Sequence, residues 1–221
     1  MNKKSFTPKD FSVLAKNKEK LETFRDYIEL QHKYSAAIRE VQTKLDILNE
    51  EFKVKYDHNP IHHIESRLKS PQSMFTKLEK NGIDISLKAA IENLNDIAGI
   101  RVVCCYIDDV YKVADILLGQ DDIILVRKKD YIKNPKPNGY RSLHLVLKVP
   151  IFLSDRTEKI TVEVQIRTIA MDMWASLEHK LRYKQKKELP EDLKLDLQKC
   201  AEEIAEMDTR LQNIHIDIQN L

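Results

Sequence analysis

Nowhere in this chain do eighteen apolar residues run together, and residues Met1 to Phe11 lack the apolar centre of a secretory signal. A soluble protein is expected, with no membrane partner. Cysteine is scarce as well: Cys104 and Cys105 adjoin in an apolar segment and Cys200 stands apart, unlike a disulfide framework or a paired zinc motif. That usage fits a reducing cytoplasm. Charge of one sign is also missing, because 37 lysines and arginines face 35 acids for a net +2. No global field draws in nucleic acid: DNA is not expected as a partner, and RNA would need a local patch. Neither a Walker loop nor a dinucleotide glycine fingerprint occurs, which disfavours both of those nucleotide folds. What remains is 221 residues, 42% hydrophobic and 33% charged, enough for one catalytic core with helical extensions.

Periodicity orders those parts. Thr7-Pro8-Lys9-Asp10 reads as a helix start. From Glu19 to Tyr56 the apolar positions Leu21, Phe24, Ile28, Ile38, Val41, Leu45, Leu48 and Phe52 predict one long amphipathic helix. Helical segments are expected near His62 to Lys69, over Pro71 to Asn81 with Gly82 as terminator, and over Leu87 to Leu94. Strands are expected at Ile100 to Ile107, Ile123 to Tyr131, Ser142 to Val149 and Lys159 to Arg167, with a helix from Asp109 to Leu118 between the first two. Thr168 should cap a helix reaching Tyr183, whose Trp174, Leu177 and Leu181 read as core beneath the sheet. A last helix, Pro190 to Asn220, carries a seam of Leu193, Leu197, Cys200, Ile204, Met207, Leu211, Ile214 and Ile218, which needs a partner: the N-terminal helix or another subunit. The expected fold is α+β, a small mixed β-sheet flanked by helices, divided into an extension (1–58), a central domain (59–187) and a C-terminal amphipathic helix (188–221).

The chemistry concentrates between Lys129 and Arg167. The sequence Asn134-Pro135-Lys136-Pro137-Asn138-Gly139 breaks any regular element, so Tyr140 and Arg141 leave a rigid loop at the mouth of a strand. In the next strand Thr161, Glu163, Gln165 and Arg167 alternate with Val162, Val164 and Ile166. Lys129, Lys136, Tyr140, Arg141 and His144 beside the lone acid Glu163 suit a polyphosphate with a divalent cation, and hard oxygen ligands favour magnesium. A second group, Arg67, Lys69, Ser73 and Lys77, falls within about three helical turns and offers cations and a hydroxyl to a triphosphate. Asp96 lies five residues before Arg101 at a helix-to-strand turn, where a carboxylate can hold a metal. His62, His63, His144, His179 and His215 are scattered, and apart from His144 a structural or surface role is expected for each.

Three runs, DIAGIRVVC, RKKDYIKNPKPNGYRSLHLVL and VEVQIRTIAMDMWASLEHKLRYK, resemble the synthetase domain of RelA/SpoT-type alarmone enzymes, and the short chain resembles the small alarmone synthetases. The likeness spans Ile61 to Tyr183. It implies a nucleotidyltransferase-like fold that transfers the β,γ-pyrophosphate of ATP to the 3′-hydroxyl of GDP or GTP, giving ppGpp or pppGpp and AMP. By the same resemblance Arg67 and Arg101 sandwich adenine, and Lys69, Ser73 and Lys77 hold ATP phosphates. Asp96 corresponds to a magnesium ligand and Glu163 to a second catalytic carboxylate, acting as ligand, base or both. Tyr140 corresponds to the aromatic that stacks on guanine, and Lys129, Lys136, Arg141, His144 and Gln165 to the polar wall around it. Arg127-Lys128-Lys129-Asp130 follows the basic form of a motif expected to bias the choice between GDP and GTP. Asp172 stands where some relatives carry asparagine, and His63 where some carry an aromatic in an allosteric pocket. A homotetramer and synthesis without alarmone hydrolysis are further implications.

Two other readings compete: a catalytically silent nucleotide- or RNA-binding regulator, and a helical assembly protein with an inert centre. Retention of Asp96 and Glu163 disfavours the first, and the polar loop around Tyr140 the second.

Overall fold

In the computed structural model, which describes residues 19–183 and 189–221, helix α1 (Glu19–Lys55) is followed by β1 (Ile61–Leu68), α2 (Pro71–Lys80), α3 (Leu87–Asn93), β2 (Ala98–Cys104) and α4 (Ile107–Leu118). Then come β3 (Ile124–Asp130), β4 (Leu143–Phe152), β5 (Thr157–Thr168), α5 (Ile169–Tyr183) and α6 (Glu191–Gln219). The expected helix start at Thr7 lies outside the described residues. One five-stranded sheet runs β1-β2-β5-β4-β3, parallel only between β2 and β5, so the α+β expectation holds.

Helix α1 crosses the apolar face of this sheet through Tyr27, Leu30, Tyr34, Ala37, Val41, Leu45, Leu48 and Phe52, all buried. Those steps of three and four form one continuous stripe. Of the expected stripe Ile38, Val41, Leu45, Leu48 and Phe52 are buried and Ile28 is exposed, while the side chains of Leu21 and Phe24 lie outside those described. The true frame runs through two tyrosines, whose rings bury as well as an aliphatic side chain does. Helix α4 adds Val110, Val113, Ala114 and Leu117 to the same core.

Residues 61–68 form an edge strand, not the expected helix. Ile61, Ile64 and Leu68 have helical spacing, but the register slips between Ile61 and His63. A bulge there restores inward alternation for Ile61, Ile64 and Leu68. Helix α5 is capped by Thr168, whose hydroxyl accepts from the Met171 amide at 3.2 Å. Its stripe differs from expectation: Trp174 is buried and donates from its indole to the Leu197 carbonyl of α6 at 3.3 Å, whereas Leu177 and Leu181 are exposed. Helix α6 packs on α5 and α4 through Ala201, Asp208 and Gln212, with only Leu197 and Ile204 of the expected seam half-buried beside them. Met207, Leu211, Ile214 and Ile218 of that seam stay exposed.

The loop between β3 and β4 is closed on itself. Asp130 accepts from the amides of Ile132 and Lys133, Gly139 donates to Lys136, and Lys136 donates to Tyr140. Gly139 sits at φ +84°, and a Cβ there would fall 2.3 Å from the Cβ of Ala201 on α6. Gly82 also has positive φ, but open space surrounds it. Gly139→Ala combines backbone strain with a clash and is expected to cost about 3 kcal/mol, against about 1 kcal/mol for Gly82→Ala, as measured by urea unfolding. Equal losses would contradict this packing.

Candidate active site

The sheet's second face carries two polar rows. In the first, strand register aligns Glu65, Arg101, Gln165, His144 and Lys129 across all five strands. In the second, Arg67, Gly99 and Glu163 lie side by side. Gly99 leaves the space between the Arg67 and Glu163 positions free of a side chain, as a close-approaching ligand requires.

Asp96 enters from the turn before β2. Its Oδ2 accepts from Lys69 Nζ and pairs with Lys77 Nζ, each at 2.9 Å. Lys69 is buried and its backbone amide is tied to the Ile97 carbonyl, so the cluster is fixed at both ends. Burial pushes the Asp96 carboxyl up, but the two ammonium groups outweigh it and hold it below the usual range. Asp96 Oδ1 is buried and has no hydrogen-bond partner. Ser73 lies one turn before Lys77 on α2, and its hydroxyl pairs with that of Ser70, the helix cap.

Glu163 accepts from Gln165 at 2.8 Å and lies 3.5 Å from His144 Nδ1. Burial pushes its pKa up, but His144 and the hydrogen bond from Gln165 outweigh that and hold it below the usual range. Asp96 lies three residues before Gly99, the register partner of Glu163, and its charge opposes that depression. Two ionised carboxylates, one of them with a buried, unsatisfied oxygen, make a donor set suited to a hard divalent cation.

Tyr140 crowns the other end. Its hydroxyl is 2.9 Å from His144 Nε2, its ring packs edge-on against Tyr131, and Lys136 Nζ lies 4.6 Å from its centroid. This cluster presents an aromatic ring with a cation beside it. Arg141 is not brought to the wall: its guanidinium donates to the Ile132 carbonyl, and it lines a cleft with Trp174 and Asp208 beneath the loop.

Comparison with known proteins gives this face a lineage. A family described as a region found in RelA/SpoT proteins matches residues 66–188. The chain belongs to the RelA/SpoT family. It is 43% identical over 185 residues, 84% of this chain and 88% of the relative, to the GTP pyrophosphokinase YwaC of Bacillus subtilis. The crystal structure of small alarmone synthetase 1 from the same organism, bound to its product pppGpp, superposes with a TM-score of 0.81 at 33% identity, covering 88% of this chain and 99% of that one. Small alarmone synthetase 2 of Bacillus subtilis gives 0.79 at 41% identity, covering 87% and 99%.

Three further residues of this RelA/SpoT face were given no role by the sequence reading. Glu65 accepts from Arg101 at 3.0 Å. Arg167 is almost fully buried, and its guanidinium and that of Arg101 approach Asp172 at 3.3 and 3.6 Å. The alternation of β5 already put Arg167 on the face of Glu163. Glu65 was hidden by the helical reading of β1, whereas Asp172 was noted only as a departure from relatives, without its arginine partners.

A carboxyl held below its ordinary value of 3.8 stabilises the fold above that pH and loses the contribution as pH falls through its folded value. Lys69→Met leaves buried Asp96 with one ammonium. The variant is expected to lose about 3 kcal/mol near neutral pH and to shift its acid unfolding limb upward. Urea titrations across pH check both, and an unshifted limb would contradict the pairing.

Proposed function

We propose that this chain transfers the β,γ-pyrophosphate of ATP to the 3′-hydroxyl of GDP or GTP, with AMP as leaving group, in the bacterial cytoplasm. The observation that carries it is Asp96, held by Lys69 and Lys77 just before β2, with Glu163 on the adjoining strand next to His144 and its partner Tyr140. GTP pyrophosphokinases at 43% and 35% identity supply the reaction class.

In this reading ATP lies over β1 and β2, its adenine between Arg67 and Arg101 and its phosphates against Lys69, Ser73 and Lys77. Guanine stacks on Tyr140, with Lys129, Lys136 and Gln165 around it. Asp96 and Glu163 would hold magnesium, which supplies charge neutralisation for the transferred phosphates. With both nucleotides so held, the acceptor 3′-oxygen would attack in line with the β-phosphorus. A bond forms from that oxygen to the β-phosphorus while the bond from the β-phosphorus to the oxygen bridging to the α-phosphorus breaks. The bridging oxygen departs with AMP, and Glu163 accepts the hydroxyl proton. His144, hydrogen-bonded to Tyr140 and 3.5 Å from Glu163, links the acceptor platform to that base. The basic Arg127–Lys129 stretch bears on the choice between GDP and GTP.

Purified protein with magnesium, labelled ATP and GDP is expected to yield AMP and a guanosine 3′-pyrophosphate. Neither product would appear from a silent binder. Glu163→Gln is expected to lower turnover by about 100-fold or more while retaining nucleotide binding. Tyr140→Ala is expected to raise KM for GDP by about 10-fold and leave that for ATP unchanged. A wild-type rate from Glu163→Gln would remove the assignment.

We further propose a homotetramer. The support is the exposed stripe Met207, Leu211, Ile214 and Ile218 of α6. Leu211→Glu with Ile214→Glu is expected to reduce the mass seen in light scattering, and an unchanged mass would exclude this stripe as a contact.

A further inference from the structure

At the far end of β2 from Asp96, four chain segments converge on a group the proposed reaction does not use. His58 of the α1–β1 loop, Cys105 after β2 and Asp109 in the first turn of α4 each present a ligand atom, all within 4.8 Å of one another. Six residues of strand separate Cys105 from Gly99 beside Glu163, about 20 Å. This cluster is therefore not an arm of the catalytic site.

The bland reading is that Asp109 only caps α4, accepting from the Tyr106 amide at 3.2 Å, with His58 as its ion-pair partner at 2.8 Å. Two features exceed that role. Cys105 brings a thiol to a helix cap that does not need one, its position fixed by a backbone bond from its amide to the Pro60 carbonyl. His215 of α6 stacks on Tyr106 and sets its ring 4.7 Å from that of His58. Gln212, one turn earlier, already ties α6 here through two bonds to Asp108, at 3.0 and 2.9 Å. Imidazole, thiolate and carboxylate from separate segments, with a second imidazole ring beside His58, match the preferences of a tetrahedral borderline metal rather than magnesium.

We propose that His58, Cys105 and Asp109 form a site for a zinc-class divalent ion, completed by His215, which joins the C-terminal helix to the sheet. Tetrahedral ligation needs nitrogen and oxygen ligands about 3.3 Å apart, so the His58–Asp109 contact opens by roughly half an ångström and the His215 ring turns toward the ion. The Cys105 thiol gives up its proton to solvent on binding.

The test is titration of metal-stripped full-length protein with cobalt and then zinc, with excess magnesium present to occupy the catalytic carboxylates. About one equivalent of cobalt is expected to bind with a thiolate-to-cobalt charge-transfer band, and zinc is expected to displace it. Cys105→Ser is expected to abolish the band, His58→Gln to weaken binding by about 100-fold, and Cys200→Ser to change nothing. Normal AMP formation by Cys105→Ser and His58→Gln serves as the check that both fold. The proposal is overturned if cobalt binds without a thiolate band, if the band survives Cys105→Ser, or if no cobalt binds.

Discussion

The parallel pairing of β2 with β5 is the constraint on which the site depends. It sets Gly99 beside Glu163 and Arg101 beside Gln165, and so brings Asp96 toward a carboxylate sixty-seven positions later in the chain. Antiparallel neighbours on either side extend the same rows to Glu65 and Lys129. A slip of one residue would send Glu163 into the apolar layer beneath α1, where Val162 and Val164 are fully buried. Hydrophobic burial on one face thus fixes the chemistry of the other.

Charge balance then keeps the acids ionised. Lys69 and Lys77 offset the burial of Asp96, and His144 and Gln165 offset that of Glu163. Further along the row, Asp172 lies between Arg101 and Arg167, so the cations are braced as well. In the proposed reaction such a preorganised face would need little rearrangement to take phosphate and a metal ion. Helix α6 takes part from a distance, pressing Ala201 against Gly139 under the loop that presents Tyr140.

Much of this was legible in the residues. Strict alternation in β5 identified Glu163 and Gln165, and the proline-glycine loop identified Tyr140 as a presented aromatic. Most element boundaries fell within two or three residues of expectation. What escaped depended on tertiary context. A bulge made β1 resemble a helix and so hid Glu65, and tyrosines carried the buried stripe of α1 where aliphatic spacing suggested Ile28. Arg141 precedes a strand whose neighbours face the site, yet it turns under the loop, a choice set by the Ile132 carbonyl rather than by any local signal. The grouping of His58, Cys105, Asp109 and His215 draws on four segments and has no signature in linear spacing.

The convergence of Asp96 and Glu163 on one ion is tested most directly by a crystal structure with a non-hydrolysable ATP analogue and manganese in place of magnesium. The anomalous peak is expected within about 2.5 Å of an oxygen from each carboxylate, with the analogue's phosphates against Lys69 and Lys77. A peak held by neither acid, or by only one of them, would contradict a shared metal site.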